Sequence, residues 1–229
     1  MLYKNYFIVL LFSLFFTSCE IKLEPDTRVL VAGRVLDSDG NAIENAEISV
    51  YTRRSPFSYS EEYLLGRNYS TSEGYFEVIS LYEKYRDFAI EITAGDYFSK
   101  YAYFTDTENY TPQDLTFNLN TKVLSKLSSF NYSINRVSPP GTTLQYTFTF
   151  VSDQCIEFYI NGALNVEQSF CHQYNSTGAT LSNERPDISS TITTLQGSEV
   201  LFSYSINNQP EILETLIIDQ ENYEFNFNY

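Results

Sequence analysis

Apolar and polar residues alternate along most of this chain, in short runs that are separated by turn residues. Alternation with a period of two puts successive side chains on opposite faces of a β-strand, whereas a helix repeats about every 3.6 residues. The clearest runs lie at 46–51, 88–93, 115–119, 146–150 and 223–229. Many short strands of this kind are typical of sandwiches and barrels, so the sequence predicts an all-β fold.

A break in the alternation divides the chain into two parts. Residues 120–126 interrupt the strand pattern, and Pro139-Pro140-Gly141 follows as a tight turn. Tyrosine and phenylalanine are abundant, at 20 and 18 residues, and aromatic side chains suit the half-buried surface of a sheet. We therefore expect two antiparallel β-sandwich domains, residues 29–120 and 121–229, each with a modest core.

The N-terminal residues predict export. Lys4 precedes an apolar run at 7–16, which has about half of the roughly 20 residues that a transmembrane helix needs, so 1–18 are expected to be a signal peptide. Phe16-Thr17-Ser18-Cys19 resembles the lipobox of bacterial lipoproteins in its relaxed Bacteroidetes form, with Phe16 where leucine is usual. The resemblance implies a lipid on Cys19 (the alternative is an unmodified cysteine), a tether at 19–28, and contact with the outer membrane through the lipid only. Whether the protein then faces the periplasm or the cell surface stays open.

The most specific motif lies at the start of the first domain. Residues 31–50 read VAGRVLDSDGNAIENAEISV, and 70–78 read STSEGYFEV. These segments resemble the carboxypeptidase regulatory-like domain, a transthyretin-like β-sandwich, although Ala42 and Ser72 stand where proline and aspartate are usual. The resemblance implies such a sandwich over residues 29–120 and a non-catalytic role.

Two glycine turns are expected in this domain, at Gly40 and Gly74, and the side chains of Ile43, Ala46, Phe76 and Val78 are expected in its core.

The segment Asp37-Ser38-Asp39-Gly40-Asn41 has a second interpretation as half of a calcium loop, because oxygen ligands stand at alternate positions. A full twelve-residue loop would need a glutamate where Ile48 stands, so the turn is the preferred interpretation.

Two cysteines of the second half form an even pair, Cys155 and Cys171. In an oxidising compartment such a pair predicts a disulfide. Asn161-Gly162 between them is a strong signal for a two-residue hairpin turn. An ideal hairpin would put Cys155 opposite Gln168, three positions short of Cys171, so the bond requires a bend or bulges in the second strand.

Three tyrosines, Tyr97, Tyr101 and Tyr103, share one face of a predicted strand whose alternate positions are apolar. We expect the apolar face in the core and the tyrosines in solvent. The functional alternative is an aromatic platform that binds a glycan or a peptide.

Charge and composition exclude several functions. The formal charge is −15, and it becomes −16 when Lys4 is removed with the signal peptide, so nucleic acid is not an expected partner. The single histidine, His172, leaves no usual zinc-peptidase ligand set. We expect no catalytic residue, cofactor or metal, although an enzyme that uses carboxylates of residues 121–229 stays a minor alternative.

The expected function is that of a non-catalytic envelope lipoprotein, an accessory, adhesion or scaffold module. The alternative is a carbohydrate- or peptide-binding lipoprotein that assists an outer-membrane transporter. Its partner would be an outer-membrane protein or a glycan.

Overall fold

The computed structural model describes residues 23–55, 58–84 and 87–229, and within these the fold is all-β, as predicted. The predicted signal peptide and Cys19 lie outside the described residues, and residues 23–28 of the expected tether belong to a strand instead, because they pair with the strand that ends at Glu83. A 3-10 helix, Gln113–Leu115, accompanies the strands. Among the described residues, no helix has the length and apolar character needed to cross a membrane. The strands are β1 (Leu23–Asp37), β2 (Glu47–Ser55), β3 (Ser58–Tyr69), β4 (Tyr75–Glu83), β5 (Asp87–Thr93), β6 (Lys100–Asp106), β7 (Thr116–Leu124), β8 (Leu127–Asn135), β9 (Leu144–Val151), β10 (Gln154–Ile160), β11 (Ala163–Cys171), β12 (Tyr174–Leu181), β13 (Ile188–Leu195), β14 (Glu199–Ile206), β15 (Ile212–Ile217) and β16 (Asn222–Asn228).

The first sandwich packs a three-stranded sheet, in the order β4-β1-β7, against a six-stranded sheet, in the order β11-β10-β6-β5-β2-β3. The inward residues of both sheets form one core, in which the rings of Phe88 and Phe117 stack at 4.9 Å. The four side chains that the sequence places in this core are buried, as predicted: Ile43, Ala46, Phe76 and Val78. Burial of this apolar surface is the main favourable term in folding.

Both predicted glycine turns are present. Gly40 and Gly74 have φ angles of 85° and 79°, in the region that favours glycine. A Cβ atom at Gly74 would also lie 2.4 Å from the carbonyl oxygen of Val35, whereas one at Gly40 would meet nothing within 4 Å. Gly74 is therefore required by space as well as by conformation.

The second sandwich packs the sheet β12-β9-β14-β15 against the sheet β13-β8-β16. Its core is largely aromatic. Phe148 stacks on Phe202 at 4.7 Å, and it meets Phe130 edge-on at 5.2 Å. Such pairs add to the free energy gained by burial alone.

The boundary between the two sandwiches differs from the predicted division of the chain at residue 121, because residues from beyond that position belong to the first sandwich. β7 runs across that position to Leu124 and pairs with β1. The β10–β11 hairpin, which was expected in the second domain, instead extends the first sandwich, because β10 pairs in parallel with β6. The physical reason lies in its inward side chains, since Cys155 and Tyr159 pack against the first core.

Candidate functional site

The β10–β11 hairpin turns at Asn161-Gly162, as predicted. Both residues have positive φ, 52° and 77°, and Ile160 pairs with Ala163 on either side of them. This conformation matches the twist of the two strands and is favoured by Asn-Gly.

A bulge in β11 corrects the register for the disulfide. Phe158 pairs with Asn165, but Ile156 pairs with Phe170, so four residues of β11 lie opposite Glu157 alone and three of them are extra. The three extra residues equal the predicted misalignment, and they bring Cys155 opposite Cys171, to which it is disulfide-bonded.

The side chain of Asn165 stabilises this bulge. Its Oδ1 accepts hydrogen bonds from the backbone N–H groups of Glu167 and Gln168, at 3.1 and 3.2 Å. The hydroxyl of Ser169 donates to the carbonyl of Asn165 at 2.6 Å and accepts from the N–H of Phe158 at 2.8 Å. The bulge is therefore held at its start and at its end.

The hairpin packs closely on the first sandwich. The ring of Tyr159 stacks on Tyr103 at 4.4 Å, and the hydroxyl of Thr105 donates to the Tyr159 carbonyl at 3.0 Å. A Cβ atom at Gly162 would lie 2.7 Å from the ring of Tyr110, so a side chain at this position would displace that ring.

A polar network joins the hairpin to both sheets of the first sandwich. Glu157 Oε2 accepts hydrogen bonds from Tyr101 at 2.5 Å, Lys122 Nζ at 2.8 Å and Tyr159 at 3.0 Å. The side chains of Lys122 and Glu157 are only 14% and 21% exposed. Burial alone would raise the pKa of Glu157, but the hydrogen bonds from Lys122 and Tyr101 outweigh burial and lower it. Burial, followed by the charge of Glu157 and its hydrogen bond, raises the pKa of Tyr159 to about 12.

The three predicted tyrosines do not share an exposed face, which corrects the sequence interpretation. Tyr101 and Tyr103 are 4% and 7% exposed and belong to the core, because their face of β6 is the inward one. Tyr97 is 66% exposed, and with Asp96 it lines a separate cavity of about 370 Å³ that borders Glu221 of the second half.

The outward face of β6 lines a pocket of about 440 Å³ together with the hairpin. The rings of Phe104 and Phe158 stack at 5.2 Å and form its aromatic floor. Its rim, which we call the polar rim, consists of Asp87, Asp106, Asn109, Asn161 and Gln168. A pocket with a largely apolar floor and a few convergent polar groups is the usual form of a small-ligand site.

The polar rim is partly preorganised. Asp106 accepts hydrogen bonds from the N–H of Glu108 and from Nδ2 of Asn109, both at 2.8 Å. Asp87 is the cross-strand partner of Asp106. Burial and the charge of Asp106 raise the pKa of Asp87. The pair therefore holds an acceptor in a fixed position beside a carboxyl group that protonates more readily than usual.

A larger groove of about 650 Å³ crosses the outer face of the second sandwich. Two of its hydroxyl groups bond to neighbouring side chains, since Ser203 donates to Glu211, and Ser176 bonds to Thr149 at 3.0 Å. The groove is lined largely by hydroxyl and amide side chains and offers less apolar surface than the pocket under the hairpin, so it is the weaker candidate.

The possible calcium loop is a turn that is closed by a lysine. Asp37 Oδ1 accepts the N–H groups of Asp39 and Asn41 at 2.9 and 2.8 Å. The ammonium group of Lys126 lies 2.5 Å from Asp39 Oδ2 and 3.7 Å from Asp37 Oδ2, in the position that a cation would take. The turn interpretation therefore accounts for these residues.

The other groups with possible chemistry have structural partners. Cys155 and Cys171 lie close to Glu157, but the two sulfur atoms are bonded to each other, and Glu157 is held by Lys122. His172 Nδ1 lies 3.1 Å from the carbonyl oxygen of Ser152 at the end of the hairpin. These groups stabilise the hairpin.

Neither a protein-family model nor a curated protein matches the sequence. Solved structures with some similarity include a 9R-lipoxygenase from Cyanothece PCC8801, at 13% identity and a TM-score of 0.29 over 47% of this chain. The chain spans only 18% of that lipoxygenase. A shaft pilin SpaA mutant from Lactobacillus rhamnosus GG shares 9% identity at a TM-score of 0.30, over 88% of this chain and 98% of the pilin. A C-terminally truncated tip fimbrial protein Mfa3 from Porphyromonas gingivalis shares 10% sequence identity at a TM-score of 0.29, over 84% of this chain and 82% of Mfa3. Similarities this weak support no argument about function.

Proposed function

We propose that this protein is a non-catalytic, lipid-anchored adhesion module of the bacterial cell envelope, which binds a carbohydrate in the pocket under the hairpin. The single observation that carries the proposal is that pocket, with its stacked aromatic floor and its polar rim.

The pocket suits a sugar for two reasons. The C–H face of a sugar ring packs on an aromatic surface, here that of the half-buried Phe158, whose ring stacks on the buried ring of Phe104. Sugar hydroxyl groups both donate and accept hydrogen bonds, and the carboxylate of Asp106 and the amides of Asn109 and Gln168 offer both kinds of partner.

The anchor and the family assignment belong to the same proposal. The lipobox-like segment that ends at Cys19 supports attachment by lipid, and the motif at 31–50 supports a carboxypeptidase regulatory-like domain in the first half. Composition supports a binding role over catalysis, since His172 is the only histidine of the chain.

A glycan array with the lipid-free mature protein tests the binding, followed by titration of the best ligand against two neighbouring variants. Gln168→Ala removes a side chain of the polar rim, whereas Glu167→Ala changes a residue of the same bulge outside the lining of the pocket. We expect Gln168→Ala to weaken binding about 2- to 10-fold, as for one lost hydrogen bond, and Glu167→Ala to leave the Kd unchanged.

Three outcomes contradict the proposal. The first is that the folded protein binds no glycan of the array, and the second is that the two variants bind equally well. The third is that Tyr97→Ala abolishes binding, which would place the site in the other cavity. Saturable binding of peptides instead of glycans favours a peptide-binding module.

A further inference from the structure

The first sandwich holds its first and last strands in a particular geometry. β1 is the central strand of its sheet, between β4 and β7, and it runs parallel to β7. The parallel pairing extends from Leu30 opposite Thr116 to Asp37 opposite Leu124, with one shift of register between Ala32 and Arg34. The chain therefore enters β1 at one end of the paired region and leaves β7 at the other end.

The second sandwich repeats this geometry. β8 is the central strand between β13 and β16, and it runs parallel to β16. The pairing extends from Ser129 opposite Asn222 to Asn135 opposite Asn228. β8 begins at Leu127 and only two residues separate it from the end of β7, so a pull on β7 passes directly to β8.

Tension along the chain loads such pairs in shear. If the N-terminal end of β1 is pulled one way and the C-terminal end of β7 the other way, the strands must slide past each other. All hydrogen bonds of the ladder then carry the force together. Pulling both strands from the same end would open the bonds one after another, at a lower force.

We infer that both sandwiches are built to bear tension between the N-terminal tether and a load on the C-terminal part of the chain. The biological use of this property rests on the proposed adhesive function, since an anchored adhesin is pulled between its membrane and its ligand. The mechanical property itself is independent of any ligand.

The hairpin strengthens the connection between the halves. Beside the short segment between β7 and β8, the pairing of β10 with β6 joins them a second time. Cys155–Cys171 closes the base of this hairpin, so a pull on the second half does not open the hairpin from its base.

Single-molecule pulling on the full mature protein tests the inference. Handles on non-natural side chains leave the disulfide intact. One handle is fixed at the exposed Val123 near the end of β7, and the other is placed either before β1 or at the exposed Ser38 after it. The same two strands are thus separated in shear or by unzipping.

For the second sandwich, a C-terminal handle is combined with Val123 for shear or with the exposed Val137 after β8 for unzipping. We expect the rupture force to be severalfold higher in shear for both sandwiches. Equal forces in the two directions overturn the inference for that sandwich.

The outcomes separate this inference from the proposed function. Equal rupture forces together with intact glycan binding reject only the load-bearing role, whereas high shear forces without glycan binding reject only the proposed carbohydrate binding. Handle variants are used only if their thermal unfolding matches that of the unmodified protein.

Discussion

Gly74 shows how one residue fixes the geometry of a turn. Its positive φ is shared with Gly40, but of these two only Gly74 lies close to the backbone of a neighbouring strand, at Val35. A comparison of alanine substitutions at the two glycines therefore separates the free-energy cost of a positive φ from the cost of a steric clash.

We expect Gly40→Ala to destabilise the protein by about 1–2 kcal/mol, the cost of a left-handed conformation for a residue with a Cβ atom. Gly74→Ala should cost about 1–3 kcal/mol more, because the Val35 carbonyl must move away from the new methyl group. Urea unfolding of both variants measures the difference. Equal losses of stability would show that the strand adapts freely around Gly74.

The ion pair of Lys122 with Glu157 should make stability depend on pH. Because the pKa of Glu157 is lowered in the fold, its stabilising contribution is present above the usual value of 4.5 and is lost as the pH falls through the lower folded pKa. We expect Lys122→Met to destabilise the protein most at pH 7 and progressively less below about pH 4.5.

Denaturant unfolding at neutral and acidic pH measures this change. Lys100→Met, at an exposed position of β6, is the matched control and should show no such trend. A deficit of Lys122→Met that stays constant down to acidic pH would assign the effect to packing of the lysine side chain.

Period-two alternation predicted many inward side chains correctly, because one face of those strands is polar. It failed at Tyr101 and Tyr103, where the alternate positions Ala102 and Phe104 are apolar too and are also buried. Both faces of β6 pack against other side chains, so local pattern could not say which one faces the main core. Leu115 differs from its predicted strand, since its φ is 51° and the strand begins one residue later.

The β10–β11 hairpin combines a turn that the sequence predicts with a bulge that it does not. Asn161-Gly162 specifies its turn locally. The bulge after Asn165 depends on the disulfide and on the Asn165 and Ser169 side chains together, and a single sequence does not show that these act on one strand. The register of β10 and β11 could therefore not be predicted from the sequence alone.

Loss of the disulfide should loosen the hairpin and the sheet to which it belongs. We expect Cys155→Ser combined with Cys171→Ser to speed amide exchange in β10, β11 and the adjoining β6 while β13 to β15 keep their protection, because within the described residues the hairpin pairs with β6 of the first sandwich. The chain-entropy model puts the loss of stability at roughly 3 kcal/mol for a loop of this size.

Hydrogen exchange with mass spectrometry locates this effect, and reduction of the wild-type protein should reproduce it. Faster exchange confined to the second sandwich would contradict the pairing of β10 with β6.

The pairing of β10 with β6 joins two sandwiches that the sequence predicted to be consecutive domains. The break at 120–126 does mark the change from one core to the next, since β7 ends at Leu124 and β8 begins at Leu127. What local pattern could not reveal is the partner of β10, because strand pairing between distant segments leaves no signal in a single strand. The pocket for which we propose carbohydrate binding needs both β6 and the hairpin, and it was missed for the same reason.

The proposed lipid anchor would determine where this molecule works and how force reaches it. β1 begins at Leu23, four residues after Cys19, so a lipid on that cysteine would hold the first sandwich close to the membrane. We expect Cys19→Ala to release the protein from the membrane fraction, because the lipid is the only expected membrane contact and an acidic surface is repelled by anionic lipids. Fractionation with incorporation of labelled fatty acid measures this, with Cys155→Ser as the control that should keep both label and membrane attachment. Retention of the unlabelled Cys19→Ala variant in the membrane would mean that another part of the chain holds the protein there, and tension would then enter elsewhere than at β1.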